Sequence, residues 1–228
     1  MDERFSRSSR ILGDEAMKKL NESSVIVFGV GGVGGAVLEA LVRGGIGTIA
    51  VVDKDTVDVT NINRQLIATN NNIGEKKVDA AEKRALSINP DVNIIKYDLF
   101  YLPETADQID LTQFDFIVDA IDNVTAKLEL IKKAHDLNVP IIASMGTGNK
   151  LHPELFEIAD INKTSVCPLA RVIRRELKAK GIKKLTVVYS KEEPIKTNGA
   201  LPGSVSFTPP VAGYLMAGHV INNLLKEV

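Results

Sequence analysis

Along the chain, short apolar runs alternate with longer stretches in which apolar residues return every three or four positions. The run Ser24-Val-Ile-Val-Phe28 is continuous and ends at a glycine, the pattern of a strand buried on both faces. Residues 33–42 are compatible with a helix, 48–52 with a second strand, and 76–88 with a helix stopped by Asn89-Pro90. A third strand over 92–97, a fourth over 114–120, a helix over 127–137 and a fifth strand over 139–143 continue the cycle. Such alternation predicts an α/β, Rossmann-like doubly wound fold with a mostly parallel sheet and helices on both faces.

After Ser144 the rhythm changes. Met145-Gly-Thr-Gly148 is a turn-rich break. Residues 155–159 and 185–189 read as strands, 166–180 as a helix, and 210–226 as a closing helix with small residues Ala212, Gly213, Ala217 and Gly218. Between them, 191–210 is rich in Pro, Gly, Ser and Thr and reads as a mobile loop. The expectation is one domain over 1–228. Residues 1–150 form its nucleotide-binding half, and 151–228 form an extension of mixed strands and helix facing substrate and dimer partner.

Composition narrows the setting. With 44% apolar and 25% charged residues, the 228-residue chain has the profile of a soluble globular protein large enough to bury a core. Cys167 is the single cysteine, which rules out an internal disulfide and CxxC zinc pairs and points to a reducing, cytoplasmic setting. Asp2, Glu3 and Arg4 follow Met1 directly, so no signal peptide is expected. No apolar run approaches the roughly 18 residues of a spanning helix. A net charge of −1 gives no global attraction to nucleic acid, so such a partner must meet a local basic patch.

The chemistry is concentrated at strand ends. Gly29-Val-Gly-Gly-Val-Gly34 leaves the first strand and opens a helix, with G-x-G-x-x-G at Gly29, Gly31 and Gly34. Glycines allow a tight turn and close approach of backbone to phosphate, and the helix start offers free N–H groups. Asp53 ends the second strand, where a carboxylate can accept from ribose hydroxyls. These features fit a dinucleotide as well as ATP. Arg64 and Lys77 favour a triphosphate, the first as a planar fork and the second as a point charge. Asp122 follows the fourth strand, at the end where ligands of open α/β sheets gather, and is suited to hold Mg²⁺ directly or through water.

Taken together, the Gly29 loop, Asp53-Lys-Asp-Thr-Val, Asn61-Ile-Asn-Arg-Gln, Gly74-Glu-Lys-Lys and Asp119-Ala-Ile-Asp-Asn resemble the ubiquitin-activating (ThiF/MoeB-like) superfamily. The resemblance implies ATP with Mg²⁺ as cofactor. Asp53 would bind ribose, Arg64 and Lys77 the phosphates, and Asp122 would stand near the metal and the α-phosphate. Asp55, Asn61 and Gln65 belong to the same implied nucleotide set. It also implies a homodimer in which an N-terminal arginine reaches the partner's site. Arg7, in Arg4-Phe-Ser-Arg7, matches that finger, with Arg10 as the alternative. The implied catalytic residues are thus Arg7, Arg64, Lys77 and Asp122.

The second half resembles one branch of that superfamily, the tRNA threonylcarbamoyladenosine dehydratases. The matching segments are Ser144-Met-Gly-Thr-Gly-Asn-Lys, Phe156-Glu-Ile-Ala-Asp-Ile-Asn-Lys-Thr, Pro168-Leu-Ala-Arg-Val-Ile-Arg-Arg-Glu-Leu and Pro210-Val-Ala-Gly-Tyr-Leu-Met-Ala-Gly-His. This implies adenylation and cyclisation of N6-threonylcarbamoyladenosine beside the tRNA anticodon. The implied partners are the modified tRNA and a sulfur-relay or cysteine desulfurase-type protein. The alternative is an adenylating enzyme for a ubiquitin-like sulfur-carrier protein. Such enzymes carry two CxxC pairs for zinc, which this sequence lacks, so no zinc is expected. Cys167 stands where the branch usually has Asp and is expected to fill a helix-cap position rather than act as a nucleophile.

Arg171, Arg174, Arg175 and Lys178 fall at i, i+3, i+4 and i+7, which puts four cations on one helix face, extended by Lys180, Lys183 and Lys184. The stripe fits either a solvated surface or RNA phosphates, and the scarcity of acids favours RNA. His135, His152 and His219 have no ligand-like neighbours in sequence and are expected to be structural or surface residues.

Overall fold

The strands form where the continuous apolar runs place them. In the computed structural model, which describes residues 2–198 and 202–226, these are β1 (Ser24–Phe28), β2 (Thr48–Val52), β3 (Asn93–Tyr97), β4 (Phe116–Asp119) and β5 (Ile141–Ser144). Two more, β6 (Phe156–Asp160) and β7 (Thr186–Ser190), complete a sheet of order β3-β2-β1-β4-β5-β7-β6. All neighbours are parallel except the edge strand β6, which runs antiparallel to β7. The chain steps from β1 outward through β2 to β3, then returns to place β4 on the other flank of β1. The carboxyl ends of β1 and β4 therefore meet at a topological switch point, where open α/β sheets bind ligands.

Alternation of side chains along β1 explains its unbroken apolar run. Val25 and Val27 enter one core and Ile26 and Phe28 the other, all four with no exposed surface. The first core lies under α2 (Asp14–Glu22), α3 (Gly32–Gly44), α4 (Lys77–Ile88) and α7 (Thr208–Leu224). The opposite face is covered by α5 (Val124–Asp136), and a third cluster joins α5 to α6 (Pro168–Ala179) beside β7. Helix α3 ends at Gly45, which takes the left-handed conformation of a C-cap at φ 87°.

Helix α7 settles the place of one of its small residues. A Cβ on Gly213 would stand 2.4 Å from the Val33 carbonyl and 2.8 Å from the Ala36 Cβ, so this glycine lets α7 press on α3 within the subunit. The N-terminal segment, for which no element was expected, forms α1 (Ser6–Leu12) and α2. Helix α2 buries Ala16, Met17 and Leu20, whereas α1 buries nothing and leaves Ile11 86% exposed. Arg4, bonded to Asp2 and to Asp91 at 2.5 Å, ties this segment to the turn before β3.

Candidate active site

At the switch point a cleft of roughly 370 Å³ opens between the tips of β1, β2, β4 and β5. Its floor is the glycine loop. Gly29 has φ +83°, and a Cβ there would sit 2.8 Å from the Ala120 carbonyl, so a side chain would be both strained and crowded. A Cβ on Gly34 would fall 1.7 Å from the Gly29 carbonyl, so only glycine lets α3 start against the strand end. Gly34 itself does not line the cleft; Gly29, Gly31 and Gly32 do.

Asp53 links the glycine loop to the turn after β2. One carboxylate oxygen accepts the Val30 N–H at 2.9 Å and the other accepts the Asp55 N–H at 2.9 Å. The side chain thus braces the glycine loop while lining the cleft. Burial pushes its pKa up, against the pull of Lys77 and the two backbone N–H groups. Lys77, almost buried at the start of α4, reaches Asp55 at 3.0 Å, and both line the cleft. Arg64 lines it too, its guanidinium donating to the Thr60 carbonyl at 2.9 Å and to Asn63 Oδ1 at 2.8 Å. Asp122 is exposed on the opposite lip.

Three buried polar atoms of cleft-lining residues lack a protein partner: Gln65 Oε1, the Tyr101 hydroxyl and the Ser204 hydroxyl. Burial drives the Tyr101 phenol well above its ordinary range, so it is a hydrogen-bond donor at neutral pH. An orphaned buried polar group carries a desolvation cost that a bound ligand can relieve. Beside them Lys54 lies 4.1 Å from the centre of the Phe100 ring. Sequence reasoning missed Tyr101, Phe100 and Lys54. Of these only Lys54, a cation between two aspartates, carried a sequence signal.

Beneath the cleft, Asp119 and Lys127 form a fully buried ion pair at 2.8 Å. Lys127 also donates to the Ser144 carbonyl at 3.0 Å, and Asp119 accepts the Ile121 N–H at 3.1 Å. The pair ties the tip of β4 to the tip of β5 and sets the turn that carries Asp122. On the far side, Asn149 (φ 58°) clips residues 202–204 over the cleft. Its N–H donates to the Gly203 carbonyl at 2.8 Å, and its Oδ1 accepts the Gly203 N–H at 2.6 Å.

Several expected site residues fall elsewhere. Asn61 is buried outside the cleft lining, and its Oδ1 accepts the Asp58 N–H at 3.1 Å in a capping box that shapes the Arg64 turn. Arg7 and Arg10 are exposed on α1 and do not line this subunit's own cleft. The four-cation stripe is divided. Arg174 folds inward onto the Ile161 and Thr164 carbonyls and Thr164 Oγ1, and Arg175 pairs with Glu176, while Arg171 and Lys178 stay exposed. Cys167 is buried at the N-cap of α6, its Sγ accepting the Ala170 N–H at 3.5 Å. His135 is solvent-facing, His152 meets Glu154 at 3.0 Å, and His219 packs edge-on to Phe116 at 6.2 Å. Among the described residues no group of three or more His, Cys, Asp or Glu could hold a metal ion.

A glycine loop at a helix start, with Asp53, Arg64, Lys77 and Asp122 gathered around one cleft at the switch point, is the arrangement of a nucleotide-binding α/β protein. The ThiF family model matches residues 5–227, and the chain belongs to the ThiF family. It is 41% identical over 242 residues to the tRNA threonylcarbamoyladenosine dehydratase of Bacillus subtilis, covering 98% of this chain and 95% of that protein. The Escherichia coli tRNA N6-threonylcarbamoyladenosine dehydratase, solved in complex with ATP, superposes with a TM-score of 0.93 at 30% identity, covering 98% of this chain and 94% of that one. The same E. coli enzyme in complex with AMP gives a TM-score of 0.94 over the same coverage.

Proposed function

We propose that this chain is an ATP-dependent tRNA-modifying enzyme that adenylates the carboxylate of N6-threonylcarbamoyladenosine beside the anticodon and cyclises it with net loss of water. The observation that carries this reading is the end-to-end likeness to dehydratases of that name, over a cleft that gathers Asp53, Arg64, Lys77 and Asp122 around a glycine cradle. ATP supplies the adenylyl group. A carboxylate oxygen of the modified base bonds to the α-phosphorus, and the bond to pyrophosphate breaks. The substituent's own nitrogen then attacks the activated acyl carbon, AMP departs with that oxygen, and the nitrogen gives up its proton.

The chain's part is to bind, orient and neutralise. Asp53 accepts from the ribose hydroxyls while holding the glycine loop through Val30. Lys77 turns from Asp55 to the phosphates, and Arg64 grips two phosphate oxygens with its fork. Gln65 Oε1 and the Tyr101 hydroxyl, both without protein partners, gain one from the nucleotide. Asp122 has no cation within ion-pair reach among the described residues, and in this reading it holds Mg²⁺, through water. Residues 1–150 then serve the nucleotide and 151–228 the acceptor. In this reading the enzyme works in the cytoplasm, and among the described residues no helix is long and apolar enough to cross a membrane.

The active unit in this reading is a homodimer with shared sites. Arg7 lies outside its own cleft on a helix that buries nothing and exposes Ile11, which suits delivery to a partner copy. The test is pyrophosphate release from ATP. Purified tRNA carrying threonylcarbamoyladenosine should stimulate it, and a small ubiquitin-like carrier protein should not; the reverse result would replace this reading with sulfur-carrier activation. In the same assay Arg7→Ala and Asp122→Ala subunits should each be nearly inactive alone. Mixed and re-equilibrated, they should recover up to about a quarter of wild-type activity, since half the dimers are then heterodimers with one intact site. No recovery despite proven heterodimers would return Arg7 to its own subunit or to no role.

A further inference from the structure

The segment from residue 160 to 184 carries eight lysines and arginines against two acids, Asp160 and Glu176, in a chain whose net charge is −1. The remainder of the molecule is therefore net negative, and this positive charge is local. Its acids are already engaged. Asp160 accepts the Asn162 N–H at 2.9 Å, and Glu176 is matched to Arg175 at 2.8 Å. Arg174 is likewise committed, to the carbonyls of the 161–164 turn. Six cations remain exposed, and none is in an ion pair among the described residues: Lys163, Arg171, Lys178, Lys180, Lys183 and Lys184. Elsewhere most surface lysines are paired, as Lys76 is with Asp98, Lys83 with Glu75 and Lys96 with Asp79 and Glu82.

These six lie on adjoining pieces of chain. Arg174 ties the middle of α6 to the 161–164 turn, and the Asn162 side chain donates to the Lys183 carbonyl at 2.9 Å. The turn, the helix and the approach to β7 are thus stitched side by side. The surface also begins at the catalytic cleft. Leu169, in the first turn of α6, lines that cleft, and Arg171 follows two residues later. The 12-residue helix then carries the charge about 18 Å away from the mouth, to Lys178 and Lys180.

We propose that this face is the docking surface for the phosphate backbone of the RNA whose modified base enters the cleft. The inference rests on the tRNA reading of the active site and adds where the rest of that substrate lies. Unpaired, solvated cations gain from releasing counterions of a polyanion without first breaking ion pairs of their own, and they bring affinity with little sequence information. No arrangement of aromatic side chains accompanies them, so the surface grips phosphates and leaves base recognition to the cleft. Arg174 serves the fold and Arg175 is matched by Glu176 on this assignment, and the contact set shifts to Lys163, Lys180, Lys183 and Lys184 around Arg171 and Lys178.

The experiment compares wild type with a form carrying Lys163→Gln, Arg171→Gln, Lys178→Gln and Lys183→Gln. Binding of modified tRNA is measured across a salt series, together with Mg²⁺–ATP binding and tRNA-dependent pyrophosphate release. The slope of log affinity against log salt should flatten by about three, near 0.7–0.9 for each lost phosphate contact. KM for tRNA should rise at least tenfold near physiological salt, with kcat at saturation and ATP affinity unchanged. Arg in place of Gln at the four positions should restore the wild-type slope. An unchanged slope and KM, with wild type binding tRNA normally, would overturn the inference alone. Failure of wild type to bind tRNA or release pyrophosphate with it would overturn the inference and the tRNA reading together. Charge-dependent retention on phosphatidylglycerol vesicles with no effect on tRNA would assign the face to a membrane and also overturn it.

Discussion

Two aspartate–lysine pairs stand at the ends of β2 and β4, the parallel strands that flank β1, and have opposite uses. At the tip of β4, Asp119 and Lys127 are fully buried 2.8 Å apart, and their remaining capacity goes to Ile121 and Ser144. At the tip of β2, Lys77 meets Asp55 at 3.0 Å, but Asp55 is 55% exposed and both line the cleft. The first pair is closed to any ligand, whereas the second is open to the cleft, and in the proposed function a phosphate displaces it. Burial pushes the Asp119 carboxyl up, against the pull of Lys127 beside it, as burial pushes up Asp53. The same chemistry therefore serves architecture where every partner is internal and binding where one side stays open.

Removing the lysine from each pair separates these uses most sharply. Lys127→Met leaves Asp119 buried and unpaired, which costs about 3–5 kcal/mol and lowers Tm by roughly 10 °C for a chain of this size. Adding Asp119→Leu removes the stranded charge and should recover part of that loss. The Ser144 carbonyl and the Ile121 N–H still lack partners, at about 1–3 kcal/mol each, so recovery stays incomplete. Lys77→Met should hold stability within about 1 kcal/mol, because its pair is partly exposed. Its tRNA-dependent pyrophosphate release should nevertheless fall on the order of 10²–10³-fold. Thermal melts and single-turnover assays decide the matter. A Lys77→Met protein that melts as early as Lys127→Met would erase the distinction.

A smaller effect follows from Asp53, which belongs to both uses. Its folded pKa lies above its unfolded value because it is buried. Ionisation of Asp53 therefore subtracts stability, a loss that begins as pH rises through the unfolded carboxylate value and is complete above the folded pKa. In the proposed role Asp53 accepts from ribose in its ionised form, so affinity for Mg²⁺–ATP should decline on acidification at a pH above the ordinary aspartate value. Asp53→Asn should bind about tenfold more weakly at pH 7 and lack that acid limb. Relative to wild type its melting should compare more favourably at pH 7 than near pH 4, since the variant has no charge to bury. Calorimetric titrations showing the same acid limb in both proteins would assign it to another group.

Residues 1–150 were the more legible in sequence. Strands β1 and β2 coincide with their apolar runs, and the glycine loop, Asp53, Arg64, Lys77 and Asp122 all reach one cleft. Other features depended on contacts distant in sequence. Helix α1 has no buried face and so no apolar period, and α2 spans too few turns to impose one. The antiparallel direction of β6 and its place outside β7 depend on pairing that local pattern does not encode. Arg174 sits on the stripe by spacing, yet carbonyls 10 and 13 residues earlier draw it inward. Asn61 was readable otherwise, because Asp58-Val-Thr-Asn61 has the spacing of a capping box, a local need that precedes any ligand. Lys127 was the deepest omission. A lysine at helical spacing looks exposed until the aspartate beneath it is located.

The smallest expected effect concerns Cys167, where a thiol beside the cleft invites a covalent role. Its Sγ is buried, 3.8 Å from where a Cβ on Gly146 would stand, and it accepts the Ala170 N–H at the first turn of α6. That is the work of an N-cap, and serine does the same with a better acceptor. Cys167→Ser exchanges a buried sulfur for a smaller, more polar oxygen, so a gain of about 0.5–1 kcal/mol in capping is offset by a similar loss in packing. The melting temperature should move by no more than about 3 °C. Cyclisation should remain within about twofold of wild type, since the nitrogen that closes the ring belongs to the substrate and removing a group outside the transition state changes neither kcat nor kcat/KM. The decisive measurement is intact-protein mass spectrometry during turnover. A thiol-linked adduct on Cys167, together with loss of activity in Cys167→Ser, would make the cysteine a nucleophile and the cap a secondary use.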